Sequence, residues 1–201
     1  MARRSDHSRA ELSELAIAAA REIVAAEGLE SLTARKIAQA IGYSPGTLYN
    51  VFEDLDDLIV QLNGRTLDAL YDRLSAVPRT DDPARDLHGL LSAYLGFLNE
   101  HRNLWTVLFE YRLPNEHILP DWYLAKVERA LGLIEAVLAS LAPDLDPATR
   151  AKAVRTLWAG LHGICSLSGA GKLQTVSGQS DREMAEMLLD CFLAGLPTLS
   201  R

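Results

Sequence analysis

The chain has 201 residues, 48% of them hydrophobic and 23% charged, with a net charge of −7. That is enough apolar material for one large domain or a small one attached to a larger, and it excludes a disordered or fibrous chain. No apolar run approaches the roughly 18 residues of a membrane helix. The basic start "MARRSDHSRAEL" has no apolar stretch behind it, so Cys165 and Cys191 read as reduced thiols in a cytoplasm.

Taken in chain order, the pattern is helical. Leu12, Leu15, Ala16, Ala19, Ile23 and Ala26 recur at steps of three and four and form one apolar stripe, which Gly28 ends. Thr33 is placed to cap a second helix carrying Ile37, Ala38 and Ile41 and closed by Gly42. Ser44 is placed to cap a third, with Pro45 in the first position, where its missing N–H costs nothing. A long helix then runs through Leu55, Leu58, Leu62, Leu67, Leu70 and Leu74 until Pro78 stops it. Further helices are predicted after "TDDPARD", from Leu104 to Tyr111, from Trp122 to Leu141, from the Asp146–Pro147 start to about Leu167, and from Arg182 to Leu196. No alternating β-branched run is long enough for a strand. The expected fold is all-α: a three-helix, helix-turn-helix head over residues 1–53, joined by the long helix to a larger helical body over residues 54–201.

The charge divides along the same line. Residues 1–52 hold six basic and six acidic side chains, so the whole acidic excess lies in the remainder. Charges further apart than about 8–10 Å are screened in physiological salt, so an acidic body does not forbid an anion-binding head.

The stretch "GYSPGTLYNVF" from Gly42 to Phe52 carries the functional expectation. So short a turn makes helices two and three cross steeply. Pro45, Leu48 and Phe52 then fall on the inner side, while Gly46, Thr47 and Asn50 face outward between Tyr43 and Tyr49. So small and polar a face suits the N-terminal end of a helix entering the DNA major groove. Backbone N–H groups at Ser44–Thr47 and at the Thr33 cap suit phosphates. With Arg35 and Lys36 nearby, the candidate DNA contacts are Thr33, Arg35, Lys36, Tyr43, Ser44, Gly46, Thr47, Tyr49 and Asn50.

"LTARKIAQAIGYSPGTLYNVF" followed by "DLDDL" resembles the DNA-binding head of the TetR family of bacterial transcriptional regulators, over about residues 8–58. Two positions depart from that family's pattern: Val51, where histidine is frequent, and Leu55, where lysine is usual. The resemblance therefore shifts phosphate contact onto Arg35, Lys36 and an Arg3–Arg4–Arg9 arm. In the body, "LWAGLHGICSLSGAGKL" at residues 157–173 resembles the C-terminal regulatory domain named for a Trp–His–Gly motif. These resemblances imply a homodimer formed by the last two long helices as a four-helix bundle, and a pocket enclosed by the helices before them.

Gly160, Leu161, Ile164 and Leu167 on one helix and Met184, Met187, Leu188 and Cys191 on the next are the candidate dimer residues. Phe97, His101, Trp105, Phe109, Tyr111, Trp122 and Trp158 are the candidate pocket residues, aromatic surface with a few polar tips. Enzyme motifs are weak. "GAGK" at Gly169–Lys172 lacks the first glycine and the trailing hydroxyl of a phosphate loop and reads as a helix cap. His7, His88, His101, His117 and His162 never fall three or four apart, so no helical metal pair exists. His162 reads as a structural histidine, and both cysteines as buried filler without a cationic neighbour. The expectation is therefore a non-enzymatic regulator without metal or cofactor. It would be a repressor that binds double-stranded palindromic operator DNA as a homodimer and leaves it on meeting a small apolar or amphipathic effector. The alternative is a helical ligand-binding protein or enzyme whose head serves protein contacts.

Overall fold

The computed structural model describes residues 7–112 and 119–199. Arg3, Arg4 and His117 lie outside the described residues. Among those described, the regular structure is ten α-helices and two short 3-10 turns. The first four helices are α1 (Arg9–Glu27), α2 (Ala34–Ile41), α3 (Pro45–Leu48) and α4 (Leu55–Ser75). They are followed by α5 (Pro83–Glu100), α6 (Arg102–Glu110), α7 (Asp121–Leu141), α8 (Pro147–Gly169), α9 (Lys172–Ser177) and α10 (Asp181–Gly195).

Local chemistry sets most of these ends. Ser8 and Glu11 form a reciprocal capping box on α1, and Ser180 and Glu183 form one on α10. Asp146 accepts from the Ala148 and Thr149 N–H groups at 3.0 Å ahead of Pro147. Two expectations change. The third helix is a single turn followed by three turn residues, because only Leu48 and then Phe52 reach the core. The segment after α8 holds the extra helix α9, set off by Gly171 and Gly178 at φ 69° and 66°.

The chain packs as two compact units, Met1–Ala69 with Leu98–Lys126, and Leu70–Phe97 with Val127–Arg201. The first has a continuous core of Ala16, Ile17, Ala20 and Val24 from α1, Ile37 and Ala38 from α2, Leu48, Phe52, and Leu58 and Leu62 from α4. Each such leucine contributes on the order of 1.5–3 kcal/mol by leaving water. Helix α6 is built into this unit. Leu104 and Val107 enter the same core, and the Asn103 side-chain amide donates to the Ala25 carbonyl at 2.9 Å. The Asn63 amide donates to the Val107 carbonyl at 3.4 Å, and the Tyr111 hydroxyl donates to Asp56. A division by covalent order at residues 53 and 54 thus differs from the division by packing.

The second unit is a helical bundle built around buried Leu87, Leu90, Leu138, Val154, Leu157 and Leu189. A Cβ on Gly160 would lie 2.8 Å from Leu188 Cδ2, so the glycine sets how closely α8 and α10 approach. Arg155 of α8 binds Glu128 at 2.5 Å and Glu135 at 3.1 Å on α7, and Arg129 stacks 3.9 Å above the Tyr71 ring.

Candidate nucleic-acid interface and the cavity of the second unit

The Thr33 hydroxyl accepts the Lys36 N–H at 3.2 Å and starts α2. At the other end Gly42 adopts φ 77°, which only glycine takes without strain, and lets the Tyr43 N–H reach the Ala38 carbonyl at 2.8 Å. This closure makes the turn tight. Ala38 is fully buried beneath it, and Leu48 and Phe52 anchor the far side at 2% and 4% exposure. Pro45, expected inside, is exposed, because a one-turn helix leaves its first residue at the rim.

Gly46, Tyr49 and Asn50 are exposed and Thr47 is half-buried, which turns a small polar surface outward. Ser44 holds the N-cap position of α3 as expected, but its hydroxyl pairs with the Thr47 hydroxyl at 2.9 Å rather than with a backbone N–H. The Thr47 N–H is used within the turn, donating to the Ser44 carbonyl at 2.9 Å. Gly46 has no positive φ, and a Cβ there would meet only Ser44 Oγ, at 3.9 Å. Nothing in the chain's own packing requires glycine at this position.

The neighbouring side chains divide into committed and open groups. The Tyr43 hydroxyl lies 2.7 Å from His7 Nδ1, and Arg9 donates to the Val51 carbonyl at 3.2 Å, fastening α1 to the end of the recognition turn. Lys36 binds Glu27 at 2.5 Å, and this bond draws the Glu27 carboxyl below its ordinary pKa. Arg35 is exposed and bonded to nothing among the described residues. All nine candidate DNA contacts lie between Thr33, which caps α2, and Asn50, in the turn after α3. The supports from His7 and Arg9 were invisible in the sequence, because 36 and 42 residues separate each pair.

The candidate pocket residues are divided between the two units. Trp105 and Phe109 pack on each other in the first unit, ring centroids 4.2 Å apart, on the helix that docks against α1. His101, Tyr111 and Trp122 belong to that unit too, while Phe97 and Trp158 belong to the second. Within the second unit lies a cavity of about 40 Å3. It is walled by Leu74 of α4, Leu90 and Tyr94 of α5, Ile134 of α7, Leu157, Trp158 and Leu161 of α8, and Leu189 of α10. Trp158 is the one candidate among its walls.

The candidate dimer residues also separate. Leu161 is turned into the chain's own core and the cavity wall, and Gly160 and Leu188 pack on each other. Leu167 at 47% exposure, Met187 at 64% and Cys191 lie outside. Cys191 is thus exposed rather than filler. Cys165 is buried, and burial with the nearby Asp181 charge pushes its thiol up to about 12. His162 stacks on Trp158 with centroids 5.5 Å apart, as a structural histidine would. Among the described residues, no three His, Cys, Asp or Glu side chains gather to hold a metal, and no helix is long and apolar enough to cross a membrane.

Comparison with known proteins divides the chain along its sequence. Residues 16–62 match the model for bacterial regulatory proteins, tetR family, and residues 87–192 match the tetracyclin repressor-like, C-terminal domain. The uncharacterized HTH-type transcriptional regulator Rv0681 of Mycobacterium tuberculosis is 27% identical over 166 residues, which span 81% of this chain and 72% of that protein. A protein of unknown function from Rhodococcus sp. RHA1 shares the fold with a TM-score of 0.73 at 20% identity, covering 96% of this chain and 98% of its own. Thermus thermophilus FadR, a TetR family repressor solved with lauroyl-CoA, shares it with a TM-score of 0.67 at 21% identity, covering 91% and 94%.

Proposed function

This chain belongs to the TetR family and is a transcriptional regulator, and from that premise we propose that it is a cytoplasmic, non-enzymatic repressor that reads a palindromic operator through Gly46, Thr47 and Asn50. The observation that carries this reading is Gly46. Glycine in a helix costs about 1 kcal/mol relative to alanine, and neither backbone conformation nor internal packing repays it here. A close-approaching external surface does. Thr47 and Asn50 then reach base edges, while Tyr49 and Arg35 engage phosphates. Lys36 joins them by exchanging Glu27 for a phosphate.

A palindromic site requires two heads. In this reading the outward residues of α8 and α10, Leu167, Met187 and Cys191, meet their copies about a two-fold axis. The effector enters the cavity of the second unit. Helix α4 gives Leu58 and Leu62 to the core of the head and Leu74 to the cavity wall, so a guest that displaces Leu74 bears on a helix the head depends on. A coupling of about 1–3 kcal/mol would weaken operator affinity roughly 5- to 150-fold. The Thermus neighbour, solved with lauroyl-CoA, is a precedent for small-molecule binding in this fold and not for the chemistry of this chain's effector.

The test is fluorescence anisotropy with DNA from upstream of the protein's own gene, titrated with salt, beside analytical ultracentrifugation. Specific binding by a dimer, weakening steeply with salt, is expected. A native monomer, or equal affinity for unrelated DNA, would refute the reading. Met187→Glu should yield monomer and lose the operator.

A further inference from the structure

Resting on the reading of the second unit's cavity as the effector site, we propose that the effector is an uncharged molecule, hydrocarbon over most of its surface and offering at most one hydrogen-bonding group. Free carboxylates, phosphates and CoA thioesters are excluded.

The walls carry the argument. They come from five helices, and none of the lining side chains is ionised at neutral pH. Their polar atoms are confined to the Tyr94 hydroxyl and the Trp158 indole N–H. A charged guest would lose its hydration and find neither a counter-charge nor a set of donors to replace it. Four arginines of this unit are already engaged elsewhere. Arg155 is held by Glu128 and Glu135, and Arg182 by Glu186. Arg79 donates to the Leu133 carbonyl and Arg150 to the Leu145 carbonyl. Recruiting any of them would break a bond the fold uses.

Size points the same way. A space of about 40 Å3 admits only a few water-sized probes, and cavities lined in this way stay dry. A larger guest has to push leucine side chains aside, which an apolar guest offsets by burying its own surface. The Tyr94 hydroxyl and the Trp158 N–H can serve one alcohol, ether or ketone group and no more.

The test uses the whole protein with the uncharged dye N-phenyl-1-naphthylamine, displaced by octanol, octanoate or octanoyl-CoA at neutral pH. Octanol should displace the dye at concentrations at least a hundredfold below either charged compound. Octanoate or octanoyl-CoA within threefold of octanol overturns the proposal and leaves the cavity reading standing. The cavity itself is tested by filling it with Leu157→Phe or, should that variant not fold, Ile134→Phe. Each should lower dye and octanol affinity at least tenfold with a cooperative melt retained. A folded filled variant that binds both as the wild type does, or a wild type that takes up neither, overturns the cavity reading and the proposal with it.

Discussion

In the first unit the candidate site lies outside the packing, and in the second it lies within it. A Cβ at Gly46 would meet only the Ser44 hydroxyl at contact distance and its neighbours Tyr49 and Asn50 are exposed, so packing within the chain does not account for this surface. The cavity of the second unit is walled by leucines like those that fill the rest of its core, and only the space between them is special. Two glycines sharpen the contrast. Gly160 is small because Leu188 presses on it from within the same chain, and Gly46 is small although a Cβ there would make only an ordinary contact with the Ser44 hydroxyl. A surface site shows in the sequence as a departure from good packing; an internal site shows as packing itself.

The largest expected effect attacks the support of the outer site. Phe52→Ala removes a ring that is 4% exposed in the core of the first unit and should cost about 3–5 kcal/mol. Thermal melts should fall sharply and operator binding should go with them, whereas a wild-type melt would mean that the head does not rest on this residue. Next, Gly160→Val should cost about 1–3 kcal/mol by overpacking against Leu188, read as a lower denaturation midpoint. Gly46→Ala should leave that midpoint unchanged or raised, since alanine is the better helix former. Equal losses at the two glycines would erase the contrast.

Smaller effects concern helix ends. Thr33→Ala removes the hydroxyl that accepts the Lys36 N–H and should cost about 1 kcal/mol, with a proportionate fall in DNA affinity. The Glu11, Glu27, Asp146 and Glu183 carboxyls are all held below their ordinary pKa, Glu11 and Glu183 by their capping serines, Asp146 by Thr149 and Glu27 by Lys36. Depressed folded values mean that their contribution is complete above the unfolded carboxylate pKa of about 4 and is lost as pH falls through the folded values. Melting temperature should therefore decline gently from about pH 5 to pH 3, and Glu11→Gln with Glu183→Gln should flatten that decline.

The same contrast explains what was legible in the sequence. Gly28, Gly42, Thr33 and the Asp146–Pro147 start act through local rules, and each ends or begins a helix where those rules place it. The outward set at Gly46, Tyr49 and Asn50 was legible for the same reason. Trp105 and Phe109 belong to a helix whose place depends on Asn103 meeting Ala25, 78 residues away, and no periodicity records such a pairing. Leu161 and Leu167 share one helix and one residue type, yet one is 8% exposed and the other 47%. Helix α8 is apolar on two faces, and only its neighbours decide which of them is the inner one.

One comparison tests the central claim most directly: salt-titrated anisotropy of wild type and Gly46→Leu on the upstream operator, with thermal melts of both. A Cβ at Gly46 makes only an ordinary contact with the Ser44 hydroxyl, at 3.9 Å, so the variant should melt as the wild type does. Its side chain should hold the backbone off the base edges and weaken specific binding at least a hundredfold, leaving the weak, salt-sensitive nonspecific binding in place. A folded Gly46→Leu protein that binds the operator with wild-type affinity would contradict the account.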